Sequence, residues 1–333
     1  MFKKILLILF LLAAVTGFNY AEKVAELPDV LKPEMMEIDG DNLFITNSAE
    51  LCISVYSLKD FKLLHKFGKK GEGPGEFKAY IRINVSPDNV FVNTWKKISF
   101  YGRDGKHKKD VTLPTDIRAI YRPVGKNFIG ESRTRTEAQN TKHINIYDPQ
   151  LKKVKELLKM DNKRSRAMNP IRMYAPELLV KAGEGRIFIC KADTFAIDIF
   201  DYDGKKINSV KEEYKTLNVT DEDKKKILKY LEKNDPFWPH FKDNIKFQDN
   251  YPAIRDIFAD GKNVYVQTMV EKDGKVEFFV YDLDGKFLKK IYLPLIRDDI
   301  RAFFPFTIKN GKLYQLVENL DEEIYELHVS AIK

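Results

Sequence analysis

Residues 67–77 read Phe-Gly-Lys-Lys-Gly-Glu-Gly-Pro-Gly-Glu-Phe, and this stretch decides the fold. Four glycines and a proline within eleven residues exclude the interior of a helix or a strand. Strand-like patterns lie on both sides, at Leu63–Phe67 and at Ile81–Val85. The stretch is therefore predicted to be a shaped connection between two sheets. Within it, Gly73 and Gly75 are expected to need backbone conformations that other residues reach poorly.

One sequence unit recurs along the whole chain. It consists of a β-branched or aromatic pair, a turn rich in Asp and Gly, and then Lys, which is a pattern typical of a hairpin. The last apolar residue of each pair serves as an anchor, and successive anchors are 45, 46, 53, 81 and 46 residues apart. Most of these spacings match the roughly 40–50 residues of a propeller blade. The anchors are Tyr56, Tyr101, Tyr147, Phe200, Tyr281 and Leu327.

A second pattern precedes each anchor, in the form of a short apolar run after a polar turn. The six runs are Asn42–Ile45, Asn89–Val92, Asn127–Ile129, Arg186–Ile189, Asn263–Val266 and Lys312–Tyr314. The two patterns are predicted to be the second and third strands of each blade, and six copies predict six blades. No strand pattern follows Ile332, so Lys23–Leu31 is expected to complete the last blade and remove its open edge.

The spacing of 81 residues breaks the period and leaves about 36 residues beyond one blade. These residues have helical features, because Thr220–Asp223 forms a capping box and Ile227 and Leu231 share one helix face. An aromatic segment, Pro236–Phe241, follows without strand alternation. Residues 216–250 are therefore predicted to be a short helical and aromatic insertion before the fifth blade, lying over one end of the propeller.

The chain resembles the bacterial secreted six-bladed β-propellers of the NHL-repeat-like type. The Gly-x-Gly-Pro-Gly-x-Phe run within residues 67–77 is the most specific part of the resemblance. The resemblance implies an all-β fold, a six-bladed β-propeller over residues 22–333. Such propellers include lyases, lactonase-like hydrolases and many binding or scaffolding modules, so the fold by itself leaves the function open.

The N-terminal residues have the pattern of a secretory signal. Lys3 and Lys4 precede an apolar run, Ile5–Val15, which is shorter than the about 20 residues of a membrane span. Residues 1–21 are predicted to be a signal peptide, with no span after its removal. The expected location is periplasmic or extracellular, or alternatively tethered by an uncleaved signal anchor, and the protein is expected to be a monomer.

The net charge is positive: 57 Lys and Arg against 49 Asp and Glu give +8, and removal of Lys3 and Lys4 leaves +6. In an exported protein this charge indicates an anionic glycan, an acidic peptide or a partner protein, with no nucleic acid; a lysine-rich soluble surface is the alternative. The two cysteines, Cys52 and Cys190, are interpreted as buried thiols, with a disulfide as the other possibility.

Catalytic motifs are not recognisable in the sequence. The five histidines show no i,i+2 or i,i+4 pairing, and neither a metal nor another cofactor is expected. The paired aspartates Asp201/Asp203 and Asp282/Asp284 resemble acid–base or Ca²⁺ pairs. Their place in hairpin turns instead predicts that they bond to their own backbone.

An Ile-Arg dipeptide recurs just ahead of predicted second strands, near the strands that line a propeller axis. If Ile points between blades, the adjacent Arg points to the channel, where several guanidiniums would form a site for carboxylate, sulfate or phosphate. The alternative is that each arginine pairs with a carboxylate of a neighbouring blade. The five arginines are Arg82, Arg118, Arg172, Arg255 and Arg301.

Trp238 and His240 lie in the aromatic segment and are added to the candidate site. A Trp beside a His suits stacking on a sugar, and a plug that holds the insertion in place is an equal alternative. The sequence thus predicts a secreted, non-catalytic binding or scaffolding propeller with an arginine-lined channel face for an anionic ligand or a partner. The alternative is a divalent-cation-dependent hydrolase or lyase of the lactonase-like propeller type.

Overall fold

The computed structural model describes residues 21–94, 96–137, 139–163, 171–173, 178–235, 237–299 and 302–333. Apart from Ala21, the predicted signal peptide lies outside these residues. Six four-stranded antiparallel sheets surround one axis as the blades of an all-β propeller, which confirms the predicted fold class. No helix among the described residues has the length and apolarity needed to cross a membrane.

The first three blades follow one another along the chain, each from its inner to its outer strand. The first strand of the described residues is β1 (Glu22–Leu27), which belongs to the last blade. The first blade contains β2 (Pro33–Asp39), β3 (Asn42–Asn47), β4 (Cys52–Ser57) and β5 (Leu63–Phe67). After the short strands β6 (Lys69–Lys70) and β7 (Glu76–Phe77), the second blade contains β8 (Arg82–Val85), β9 (Val90–Asn93), β10 (Lys97–Tyr101) and β11 (His107–Thr112). The third contains β12 (Ile117–Val124), β13 (Asn127–Arg135), β14 (Gln139–Tyr147) and β15 (Lys153–Lys163).

The remaining blades are separated by the insertion. After β16 (Ile171–Met173), the fourth blade contains β17 (Leu178–Gly183), β18 (Arg186–Lys191), β19 (Ala196–Asp201) and β20 (Lys206–Lys211). The insertion ends with β21 (Ile245–Phe247). The fifth blade contains β22 (Asp256–Asp260), β23 (Asn263–Lys272), β24 (Lys275–Asp282) and β25 (Phe287–Pro294). The sixth contains β26 (Phe306–Lys309), β27 (Lys312–Asn319) and β28 (Ile324–Ala331), with β1 outermost.

The core lies between neighbouring blades, where apolar side chains of the second and third strands pack together. The predicted anchors all lie on third strands and are buried, as their spacing predicted. The turns after them are held by aspartate. Asp201 Oδ1 accepts from the backbone N–H of Lys205 at 2.7 Å, and Asp282 Oδ1 accepts from that of Lys286 at 2.8 Å. These aspartates therefore have the turn role that the sequence predicted.

Ring closure occurs as predicted, because β1 pairs antiparallel with β28. Leu27 is fully buried in the core at this junction. Lys23 Nζ lies 3.1 Å from the carboxylate of Glu326, which joins the two ends of the chain by an ion pair. The last blade is therefore assembled from both ends of the described chain, and its outer edge strand comes from the N-terminal side.

Two glycines in the connection at residues 67–77 were predicted to need an unusual backbone conformation, and one of them has it. Gly75 has φ +70°, which side chains rarely tolerate, whereas Gly73 is not in the left-handed region, so the expectation for Gly73 is wrong. Gly73 instead faces the Glu76 carboxylate, which accepts from its N–H at 2.9 Å. The N–H of Gly75 donates to Asp110 at 3.2 Å, and the Tyr101 hydroxyl donates to the Gly75 carbonyl. With Phe77 buried, the loop is fixed to the second blade.

The insertion lies between the fourth and fifth blades, as predicted. Its helix α1 (Asp221–Asn234) begins at the capping box of Thr220 and Asp223, and it buries Ile227 and Leu231. The short helix α2 (Trp238–Phe241) and a 3₁₀ turn (Lys242–Asn244) follow. The Tyr230 hydroxyl of α1 donates to Asp299 at 2.7 Å, so the helix reaches the connection that precedes the sixth blade.

Candidate functional site

The inner strands of the six blades enclose an axial cavity of about 970 Å³. Its wall is formed by β2, β8, β12, β17 and β22, and by residues 303–308 at the start of the sixth blade. This volume is at the upper end of the range for small-molecule sites. The wall combines aromatic and methionine side chains with both acidic and basic ones, so the cavity suits a ligand with apolar and charged parts.

Arg122 links four blades towards the C-terminal ends of the inner strands. From β12 of the third blade, its guanidinium forms an ion pair with Glu37 of the first blade. It donates to Asn84 Oδ1 of the second blade and to the Ala182 carbonyl of the fourth, both at 3.1 Å. Burial lowers the pKa of Arg122. The sequence reasoning missed this residue, because Arg122 precedes a proline and is not part of an Ile-Arg dipeptide.

A second charged cluster is centred on Glu131, which is 5% exposed. Its carboxylate accepts from Tyr121 Oη and from Arg133 Nε, both at 2.7 Å, and Lys142 Nζ lies at 3.3 Å. Burial opposes ionisation, but these hydrogen bonds and charges hold the pKa of Glu131 below its ordinary value. Burial and the neighbouring carboxylate raise the pKa of Tyr121, so this hydroxyl acts as a donor.

Three of the four acidic side chains that line the cavity are paired with cations, and the fourth, Glu34, is exposed. Besides Glu37 and Glu131, Asp256 pairs with Lys181 at 2.7 Å. A carboxylate that is already paired with a cation is a poor starting point for holding a divalent metal. Across the described ranges, the one group with the spacing of metal ligands is Glu26, Glu322 and Glu326. That group lies at the ring closure, away from the cavity, and Lys23 Nζ lies 3.0 Å from Glu26.

Arg82 and Arg255 both line the cavity. The Arg82 guanidinium lies over the ring of Tyr80, 5.3 Å from its centroid, and Nε donates to the Tyr80 hydroxyl. Arg255 lies over the ring of Phe303 at 4.5 Å, and Arg297 lies 4.6 Å from the same ring. Burial and the nearby Arg297 charge lower the pKa of Arg255.

The other three Ile-Arg positions differ from these two. Arg118 is exposed and is not among the cavity-lining residues, because β12 has irregular register next to Ile117 and Ile120, which shifts the residues facing the axis to Tyr121 and Arg122. Arg172 lies in β16, which pairs in parallel with β21 of the insertion and is not an inner strand. Arg301 lies outside the described residues.

Trp238 and His240 both lie in α2, outside the cavity lining. Trp238 is half-buried and makes an edge-to-face contact with Phe241, with ring centroids 5.8 Å apart. His240 and Phe237 are exposed. The structure therefore separates these two candidates from the arginines, and a role for them in sugar binding stays a prediction.

Comparison with known proteins supports the fold. No protein-family model and no curated protein matches the sequence. Among solved structures, the chain is similar to a protein of Bacteroides fragilis named as an exported protein, with 14% identity, a TM-score of 0.57, and coverage of 96% of this chain and 98% of that one. It is also similar to a member of the DUF4221 family from Bacteroides vulgatus, with 12% identity, a TM-score of 0.54, and coverage of 94% and 98%. At this identity the likeness concerns the propeller fold alone.

Proposed function

We propose that the protein is an exported binding propeller whose axial cavity takes an anionic ligand, with Arg82 and Arg255 as the anion-binding side chains. The N-terminal pattern of a signal peptide supports export, as does the name of the Bacteroides fragilis neighbour. Under this proposal the protein is one of the binding modules of the NHL-like group that its sequence resembles. An acidic glycan is the favoured ligand, ahead of an acidic peptide or a partner protein.

The pairing of charges around the cavity carries the proposal. Among the wall carboxylates, Glu37 and Asp256 pair with cations from other strands, and Glu131 pairs with Arg133 of its own strand and with Lys142 of β14. This pairing disfavours metal-dependent hydrolysis or elimination at these three carboxylates. In the part of the chain that the structure describes, no carboxylate lies within ion-pair distance of Arg82, and its partner is the neutral Tyr80. The terminal nitrogens of a guanidinium offer in-plane donors to a carboxylate, sulfate or phosphate.

Anion-dependent thermal stability tests the proposal. Sulfate, citrate and an oligogalacturonate should each raise the melting temperature more than sodium chloride at the same ionic strength, because a ligand that binds only the folded state stabilises it. Arg82→Gln and Arg255→Gln should each reduce the gain. Arg118→Gln is the matched control, since it removes an arginine of the same dipeptide that does not line the cavity.

The opposite result is equally specific. If no anion stabilises the wild-type protein beyond chloride, or if Arg118→Gln reduces the gain as much as the two cavity variants, the cavity is not the anion site. The alternative enzyme would instead respond to a divalent cation, seen as stabilisation by Ca²⁺ or Mn²⁺ that is lost in Asp256→Asn and in Glu131→Gln.

A further inference from the structure

Arg82 and Arg255 lie on opposite walls of the cavity. Arg82 belongs to the inner strand of the second blade, and Arg255 directly precedes the inner strand of the fifth. The ring closes through six blades, so the second and fifth are three places apart and face each other across the axis. Both arginines lie where an inner strand begins.

The two positions share an aromatic neighbour, while Arg255 also lies close to the charges of Arg297, Glu271 and Asp256. Each guanidinium lies over the ring of a neighbouring aromatic side chain, Tyr80 for Arg82 and Phe303 for Arg255. The Tyr80 hydroxyl takes the Nε donor of Arg82, and the terminal nitrogens of a guanidinium carry its other hydrogen-bond donors. Two such positions on facing walls suit two separate anionic groups better than one group at the centre.

The rest of the cavity wall indicates what part of a ligand would lie between its two anionic groups. Half-buried Met35, Phe258 and Phe306 line the cavity, and the wall carboxylates Glu37, Glu131 and Asp256 are paired with cations. A cavity of about 970 Å³ is also far larger than a single sulfate or acetate requires.

We propose that the ligand is a dianion, a molecule with an anionic group at each end and an uncharged spacer, bridged between Arg82 and Arg255 across the axis. This inference rests on the proposed function, because it assigns the ligand class of the same cavity. An aliphatic diacid and a short acidic oligosaccharide share this chemistry.

Calorimetric titration with matched acids tests the inference. The probes are adipate, suberate and sebacate, compared with hexanoate, octanoate and decanoate at fixed ionic strength. One diacid length should bind at least about tenfold more tightly than the monoacid of the same length, because a second charge-assisted contact forms. A digalacturonate titrated in parallel distinguishes a glycan source from an aliphatic one by its relative affinity.

Variants of Arg82 and Arg255 test which residues bind the two ends of the dianion. Arg82→Gln and Arg255→Gln should each bring the best diacid down to the affinity of its monoacid, a loss of about tenfold, while Arg118→Gln should leave the difference intact. Arg255→Lys gives a second variant that keeps the charge at the more buried position, and it should retain part of the difference.

The outcomes separate this inference from the proposed function. If diacids and monoacids bind equally and Arg82→Gln still weakens both, the cavity holds a single anion, so the dianion is excluded and the proposed function stands. If neither class binds and no anion stabilises the protein, both are overturned. If the preference for diacids survives in both single variants, the bridge between the two arginines is wrong.

Discussion

At the scale of single residues, Gly75 shows how backbone geometry and packing act together. Its φ of +70° belongs to the left-handed region. A Cβ added there would lie 2.9 Å from the Tyr101 hydroxyl and 2.9 Å from the His107 ring. Both neighbours are held in place, because Tyr101 is buried and His107 bonds to Asp110 at 2.8 Å. Neither can move aside without breaking a contact.

Gly75→Ala should therefore lower the free energy of unfolding by more than the backbone strain alone would. Gly274 is the matched control, since it has the same φ of +70° and nothing within 4 Å of an added Cβ. We expect Gly274→Ala to lower the free energy of unfolding by about 1 kcal/mol and Gly75→Ala to lower it by about 1–3 kcal/mol more. Denaturant unfolding of both variants measures the difference, and equal losses would show that the packing around Gly75 adds nothing.

The sequence identified this loop but not the role of each glycine in it. A run of four glycines indicates that the backbone of this loop is unusual. Which of the glycines adopts a positive φ depends on contacts with residues that are distant in sequence. Gly75 faces Tyr101, His107 and Asp110, all from the next blade. Gly73 has only the local carboxylate of Glu76 to bond, which does not need positive φ.

At the scale of elements, the closure by β1 is the most consequential pairing. Its six residues cover the edge of β28, and Leu27 enters the core with no exposed surface. An uncovered β28 would leave backbone donors and acceptors unpaired and apolar side chains in water. The absence of a strand pattern after Ile332 was enough to predict this closure, because a ring requires one more strand than the C-terminal blade contains.

Leu27→Ala should lower the free energy of unfolding by about 2–5 kcal/mol, since it leaves a cavity at the seam. Leu31→Ala is the control, because Leu31 lies a few residues further on and is 57% exposed. Removing residues 22–32 should lower the melting temperature further, and a peptide of that sequence added in trans should restore part of it. A truncated protein that melts with the parent would contradict the closure.

The stability that the β1–β28 closure provides should also depend on pH. Burial disfavours the Glu326 carboxylate, but hydrogen bonds from Asn319, His328 and Lys23 lower its pKa from 4.5 to about 2. The folded pKa is below the unfolded one, so this contribution to stability is complete above pH 4.5 and is lost as the pH falls towards 2. Glu326→Gln should flatten the acid limb of the stability profile. Glu22→Gln, an exposed change on the paired strand β1, should leave it unchanged.

At the scale of the whole molecule, the order of the strands could be predicted from the sequence, but the side chains that line the axial cavity could not. Alternation and turn residues are local, so six repeats sufficed to predict six blades. The axis brings together side chains more than a hundred residues apart, such as Glu37 and Ala182, which both contact Arg122. The irregular register of β12 also changes which side chains face inward, and no local pattern reports it. Arg118 was therefore chosen from the sequence, while the structure gives that place to Arg122.

Arg122 should be a stabilising residue of the ring as a whole. Arg122→Gln would leave the buried Glu37 carboxylate without its cation, and a stranded buried charge costs about 3–5 kcal/mol. Glu37 keeps one donor, the N–H of Val85 at 2.7 Å, which places the expected loss near the lower end of that range. Glu37→Gln should lose a similar amount, because it leaves Arg122 unpaired at the same place.

The double variant Arg122→Gln/Glu37→Gln decides whether the ion pair or the packing matters. If the charges are the dominant contribution, it should be more stable than the sum of the single losses predicts, since no charge is left buried. Additive losses would mean that Arg122 acts through its bonds to Asn84 and Ala182, which also span blades. Either way, global unfolding followed in denaturant should remain one transition, because a residue that joins four blades affects them together.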